Sequence, residues 1–463
     1  MSVISFLPRY STDKMWHVPH FEKMLYDQAQ LVMAYSAALS ITQEEKYRKV
    51  VDDILLYVTR DMTHSSGGFF SAEDADSYPM DNPSEKKEGA FCVWSWEEIK
   101  TLLNEKVQNE EMSLADIVAH EYNLKPGGNV DPRGDPHGEL KNQNVLTKIP
   151  SKPLPLSDLD KYNRALEDAK KILFSERLKR PRPGLDIKIV TCWNSLMISG
   201  FCRAAAVTQS SDYTAAALRA GNFVMDTLWC GQRRRLLRCV YGAGSGITQL
   251  ETPIDGFVED YCMTVGAMLD LYRLTLDEKW LAYAKELQEI QDELFLDKEK
   301  GGYFTSREGD EEIVLRLKDD QDGAEPCSNS VSAMNLIRLG RILNNQSFSE
   351  KGENIIKLYS ERLDQMPHAL PAMVEAYLHL NQAEPLVVIT GEAEGHLLLC
   401  HLHTHHLPSH DIISVSPQTM SAHPALADTE IRQGAYLLRD GTLSKFVDTV
   451  EQFLEIIDKY AKK

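Results

Sequence analysis

What the chain lacks narrows its class before any motif is read. No apolar stretch approaches the ~20 residues that a membrane-spanning helix needs. The opening MSVISFLPRYSTDK has neither a long apolar core nor a small-residue cleavage site. Membrane insertion and export by its own signal are therefore not expected. Cysteine is sparse, 8 in 463 residues with no C-x-x-C spacing, which reads as reduced, mostly buried thiols suited to a cytosolic setting. Basic residues are outnumbered, 50 against 69 acidic, and the net charge of −19 gives a negative potential that repels nucleic acid and anionic membrane. The one basic run, Arg233, Arg234, Arg235 and Arg238, is read as a solvated loop without function.

What is present is a repeat. FEKMLYDQAQLVMAYSAALSITQEEKYRKV, from Phe21, lies over the stretch containing EDYCMTVGAMLDLYRLTLDEKWLAYA. Asp27 then falls on Asp260, Ala34 on Ala267, Thr42 on Thr275 and Tyr47 on Trp280. One residue later in register, Gly67-Gly68-Phe69 meets Gly301-Gly302-Tyr303. Further copies begin near Trp193 and Ser328. Each has apolar residues at helical spacing, small residues for close packing, and a short polar turn, so each predicts a helix pair. Two more candidates, SWEEIKTLLNEKV with a Ser95/Glu98 capping box and LSDLDKYNRALEDAKKILFSERLK, predict another pair. The fold expected is mainly α, an α/α toroid of the six-hairpin type, incomplete at about five hairpins, over residues 1–384. A small α/β appendage, with strands in LVVIT and DIISVS and a terminal amphipathic helix, is expected over 385–463.

In a ring of antiparallel pairs, inner-helix starts and outer-helix ends share one face. That face would carry His20, Glu22, Tyr26, Asp27, Asp186, Trp193, Asn194, Glu259, Asp260, Tyr261 and Asn329, with Glu73, Asp74 and Asp76 after the first outer helix. Carboxylates and amides pair hydroxyl groups, and aromatic rings cover sugar faces. A pair of carboxylates also suits glycosidic chemistry, one protonating the leaving oxygen and the other acting as base or nucleophile. Asp27 and Asp260 form the expected catalytic pair, assisted by Glu22, Glu73 or Asp76; the other residues are expected to bind substrate. The alternative is that acids at helix starts only cap free N–H groups.

No metal or cofactor is expected. Glu73-Asp74-Ala75-Asp76 lacks the glycine and terminal glutamate of an EF-hand loop, and His401 and His405, four apart, read as a solvated helix end. Arg316, Lys318 and Asp319 alternate like a strand face.

The runs RYSTDKMWHVPHFEKMLYDQAQL, GGFFSAEDADS, Asp186 to Asn194, FVEDY, GGYF and RLKDDQDGAEPCSNS resemble the spermatogenesis-associated protein 20 family, from about Arg9 to about Val415. The resemblance implies an N-terminal thioredoxin-like domain, absent from this sequence, followed by a toroid similar to those of glycosidases and N-acylglucosamine epimerases. No thioredoxin activity is therefore expected, and the chain reads as a shortened form. The resemblance also implies a role in male germ-cell development, exerted through a toroid whose mouth takes a carbohydrate or protein ligand. A carbohydrate-active enzyme, glycoside hydrolase or sugar epimerase, is the alternative.

Overall fold

Alanines and long apolar side chains at helical spacing produce α1 (Leu25–Thr42), and a two-residue turn leads into α2 (Glu45–Asp61). The computed structural model describes residues 9–452 and 455, apart from 136, 149–154, 156, 157, 310–312, 382–385, 392, 405–409, 428–433, 440, 441, 444–446, 448 and 450. His405 and most of the expected C-terminal helix lie outside the described residues. The chain forms two compact units, one of residues 1–28, 52–62 and 70–187, the other of 29–51, 63–69 and 188–463.

In the first unit, α3 (Trp96–Leu102), α4 (Leu114–Tyr122) and α5 (Leu159–Arg177) bury Trp94, Ile99, Ile117, Leu166 and Leu173 in one core. The expected pair is thus three helices. Sequence reading passed over α4 because nine residues give too short an apolar stripe, although Ser113 and Asp116 form a complete capping box at its start. The box at Ser95 is only half formed. Ser95 accepts from the Glu98 N–H at 3.2 Å, but the Glu98 carboxylate takes Arg180 at 2.8 Å instead of returning to the cap. A short antiparallel strip pairs Lys23 with Glu73 and Ala72 with Asp186.

The second unit carries the repeat. Its helix pairs are α6 (Thr191–Thr208) with α7 (Ser211–Phe223), α8 (Val258–Thr275) with α9 (Glu278–Phe295), and α10 (Ser328–Ile342) with α11 (Gln346–Leu358). They begin where the repeat placed them, and the chain is mainly α, built of helical hairpins. The ends of the inner helices also repeat. Thr42, Thr208 and Thr275 each return a hydroxyl to the carbonyl four residues earlier, at 2.8, 2.7 and 2.8 Å. The next residues, Gln43, Gln209 and Leu276, turn left-handed with φ of 56°, 55° and 56°. That conformation stops the helix without a glycine.

The Gly-Gly-aromatic loops have a matching purpose. Asn194 in α6 accepts from the Phe69 N–H at 2.7 Å and donates to the Phe69 carbonyl at 3.0 Å. Asn329 in α10 makes the same two bonds to Tyr303, at 2.7 and 3.0 Å. Each amide therefore fastens the loop after one outer helix to the start of a later inner helix. Gly68 permits this approach, since a Cβ there would lie 2.6 Å from the Phe223 ring.

After α12 (Ser360–Gln365) and α13 (Pro371–Asn381), the strand Leu386–Thr390 pairs parallel with Ile412–Ser414 and antiparallel with Gly434–Arg439. Between the first two runs α14 (Ala393–Thr404), which closes a small apolar core with Val387, Ile389 and Leu437. Residues 313–320 form no strand, contrary to expectation: Arg316 lies over the Phe304 ring and Lys318 pairs with Asp297 at 2.7 Å. Among the described residues no helix is long and apolar enough to cross a membrane.

Candidate functional site

The start of α1 gathers a polar cluster in the first unit. Pro19 and the strand Lys23–Met24 present His20, Glu22 and Asp27 to one place, and Arg9 enters it from the preceding segment. Arg9 contacts Glu22 at 2.8 Å and Asp27 at 3.3 Å. The imidazole of His20 is fixed from both sides, Nδ1 lying 2.8 Å from Glu88 and Nε2 3.5 Å from Glu22. Tyr10 stacks on His20, the Arg9 guanidinium also lies over its ring, and the residue is 48% exposed. Tyr26 is buried, with the Arg9 guanidinium over its ring.

Asp27 stands out within this cluster. Its Oδ2 is buried and accepts no hydrogen bond among the described residues. Burial raises its carboxyl above the ordinary aspartate value, while Arg9 pulls it back down. The Arg9 Nε lies 3.3 Å from this same oxygen, an ion pair without hydrogen-bond geometry, so a ligand hydroxyl that displaced Arg9 would give the oxygen the hydrogen bond that buried carboxylates almost always have.

The other acids of the first unit are committed elsewhere. Glu73 is buried and accepts from Tyr57 Oη at 2.7 Å. Asp74 pairs with Lys86 at 3.1 Å, and burial together with Asp74 raises the Asp76 carboxyl. Asp186 lies in the strand Leu185–Asp186, its carbonyl accepting from the Ser71 N–H at 3.1 Å. These residues shape the strip beside the cluster.

Lys23 is a buried cation within that strip, donating to the Phe21 carbonyl at 2.8 Å, and burial lowers its ammonium to about 7. The unfolded chain holds this proton up to its ordinary pKa of 10.5, so between pH 7 and 10.5 the unfolded state binds more protons and stability rises with pH. Urea midpoints at pH 7 and 9 should therefore rise more steeply for wild type than for Lys23→Met. Equal slopes would show that Lys23 is not the titrating group.

In the second unit the starts of α6, α8 and α10 meet. Asp260, fully buried at the third position of α8, accepts from the Phe257 N–H at 2.9 Å and the Cys192 N–H at 3.1 Å. Arg238 Nη1 reaches both of its oxygens at 3.0 Å and also Glu259 at 3.0 Å. Burial pushes the Asp260 carboxyl up to about 7, with Arg238 acting against it, and burial likewise raises Glu259. All its acceptor positions face the protein, so Asp260 holds α6 and α8 together and has no face for a substrate. Arg238, read from sequence as a solvated residue, is the centre of this cluster.

Trp193 donates from Nε1 to Glu325 at 2.7 Å. Tyr261, expected to cover a sugar face, is fully buried and accepts from the Leu236 N–H at 3.0 Å. Asn194 and Asn329, also expected to bind substrate, are the loop clamps described above. Sequence reasoning missed Arg9, Tyr10, Glu88, Arg238 and Glu325 as members of these clusters. Arg9 and Tyr10 open a recognised motif, but nothing near Glu88 signals its pairing with His20 across 68 positions.

No family model matches the chain. It is 42% identical to human (Homo sapiens) spermatogenesis-associated protein 20 over 395 residues, covering 84% of this chain and 50% of that protein. An uncharacterized protein of Caenorhabditis elegans is 36% identical, with 98% of this chain and 63% of that one covered. Among solved structures, cellobiose 2-epimerase from Bacillus thermoamylovorans is similar with a TM-score of 0.42 and 9% identity, over 83% of this chain and 81% of that one. The chain spans about half the length of the mammalian relatives it matches. By its identity to them over most of its own length, the chain belongs to the spermatogenesis-associated protein 20 family.

Proposed function

We propose that the chain binds a polyhydroxylated ligand, a carbohydrate, at the cluster of Arg9, His20, Glu22 and Asp27, and that it acts in spermatogenesis as the name of its relatives states. The buried Oδ2 of Asp27, ion-paired to Arg9 at 3.3 Å but without a hydrogen bond among the described residues, carries this reading. A sugar hydroxyl that displaces Arg9 from Asp27 supplies a hydrogen-bond donor to this oxygen, Arg9 and Glu22 take neighbouring hydroxyls, and the half-exposed Tyr10 ring stands beside the site. The same geometry suits binding without turnover, since Arg9 pairs with both carboxylates of the cluster, Glu22 and Asp27.

A second reading rests on His20. An imidazole anchored at Nδ1 by Glu88 offers Nε2 as a base once a substrate displaces Glu22 from it, and removal of a proton next to an open-chain sugar carbonyl requires such a base. Returning the proton to the other face of that carbon inverts it, with no net change in atoms or electrons.

Glycan-array binding, read beside thermal unfolding, tests the first reading. Wild type should retain specific glycans, and Asp27→Asn should weaken them by about tenfold or more, the loss of one charge-assisted hydrogen bond. Its melting temperature should stay near that of wild type. Absence of any specific glycan, or unchanged binding by Asp27→Asn, would overturn the proposal. Incorporation of deuterium from heavy water into a bound sugar, lost in His20→Gln, would add the second reading to the first.

A further inference from the structure

The second unit has a cleft of about 570 Å³ between its inner helices, open to solvent and within the size range of small-molecule sites. Its walls are largely apolar, formed by Met33, Leu196, Met263, Val331, Met334 and Leu402. Methionines at three of these positions allow the wall to adapt to an occupant's shape. One part of the lining is charged, where Arg203 of α6, Arg273 and Asp270 of α8, Arg338 of α10 and Asp411 come together.

The lining holds three arginines, Arg203, Arg273 and Arg338, and three carboxylates, Asp270, Glu375 and Asp411, of which Asp270 and Asp411 pair directly with Arg338. Arg338 pairs with Asp270 at 3.0 Å and Asp411 at 3.5 Å, and Arg341 also uses Asp411, at 3.3 Å. Asp411 is further engaged by His379 at 3.2 Å. Arg203 and Arg273 form no ion pair with a carboxylate among the described residues; the Arg273 side chain lies 3.1 Å from His410 Nε2. Burial and the neighbouring Arg338 and Arg203 lower Arg273 to about 10, with Asp270 and Asp411 acting against them. The remaining lining carboxylate, Glu375, is exposed on α13, one turn from His379.

We propose that this cavity binds a small amphiphilic anion, its apolar body against the methionine-rich wall and its carboxylate or phosphate head between Arg203 and Arg273. Guanidinium groups are the side chains best matched to such heads, through paired N–H donors. An apolar wall beside two guanidinium groups that make no direct ion pair with a carboxylate among the described residues suits an ionised amphiphile better than a sugar, whose hydroxyls would lose partners on that wall. This is a different site from the carbohydrate cluster, which lies in the first unit. It is also remote from Trp193, since Arg203 stands about 15 Å farther along α6 at 1.5 Å per residue.

Calorimetric titration of the full chain with octanoate, octyl phosphate and octanol tests the assignment. One of the two anions should bind with one-to-one stoichiometry and about tenfold or more tightly than octanol, the usual worth of a charge-assisted contact. Tighter binding of octyl phosphate identifies a phosphate head, and tighter binding of octanoate a carboxylate. Arg203 is exposed to the cavity, so Arg203→Met should fold as wild type does and lose the preference for the anion, while Arg203→Lys keeps part of it. Octanol binding as tightly as both anions, binding by none of the three, or an unchanged anion affinity in Arg203→Met would overturn the proposal.

Discussion

Asp260→Ala should lose about 3–5 kcal/mol of stability, the usual result of removing one partner from a buried charged pair. Three donors lose their acceptor together: the Phe257 N–H, the Cys192 N–H and the Arg238 guanidinium. Glu259 remains beside Arg238, which limits but does not cancel the loss. Asp27→Asn, at the equivalent position of α1, should change stability by no more than about 1 kcal/mol, since its ion pair with Arg9 is partly exposed. Urea unfolding of both variants measures the contrast. Equal losses would mean that the two aspartates do the same structural work, and the distinction drawn between them would fail.

The Asn clamps should be nearly as costly to remove. Asn194→Ala leaves the Phe69 N–H and carbonyl without partners, and Asn329→Ala does the same to Tyr303. Each unsatisfied buried group costs about 1–3 kcal/mol, so either variant should lose about 2–5 kcal/mol. Asn194→Asp gives a graded test, because it still accepts from the Phe69 N–H but cannot donate to the carbonyl. Its loss should fall between wild type and Asn194→Ala. An Asn194→Ala variant as stable as wild type would show that the loop is held by its packing alone.

The inner-helix repeat was legible because helix formation and close packing leave a local signature. Alanines in α1 and α6, threonines that end three helices, and the Gly-Gly-aromatic loops all recur at fixed spacing. The alignment of Asp27 with Asp260 was also sound, since both stand near the start of an inner helix. Their roles diverged because of what lies opposite each. Arg238 reaches Asp260 on a chain segment that runs into the strand Cys239–Ala243, whose pairing with Lys188–Val190 is long-range and has no local signature. Likewise Glu88 fixes His20 from a hairpin far along the chain. The short helix α4 was missed for a different reason: nine residues show too little period to separate helix from loop.

The most direct test of the central claim is a crystal structure of the chain soaked in turn with mannose, N-acetylglucosamine and cellobiose. A sugar should appear at Arg9, His20 and Glu22, with one hydroxyl in place of Arg9 at hydrogen-bonding distance from Asp27 Oδ2 and the ring beside Tyr10. Sugars absent from this cluster at saturating concentration, or bound only elsewhere with Asp27 Oδ2 untouched, would contradict it.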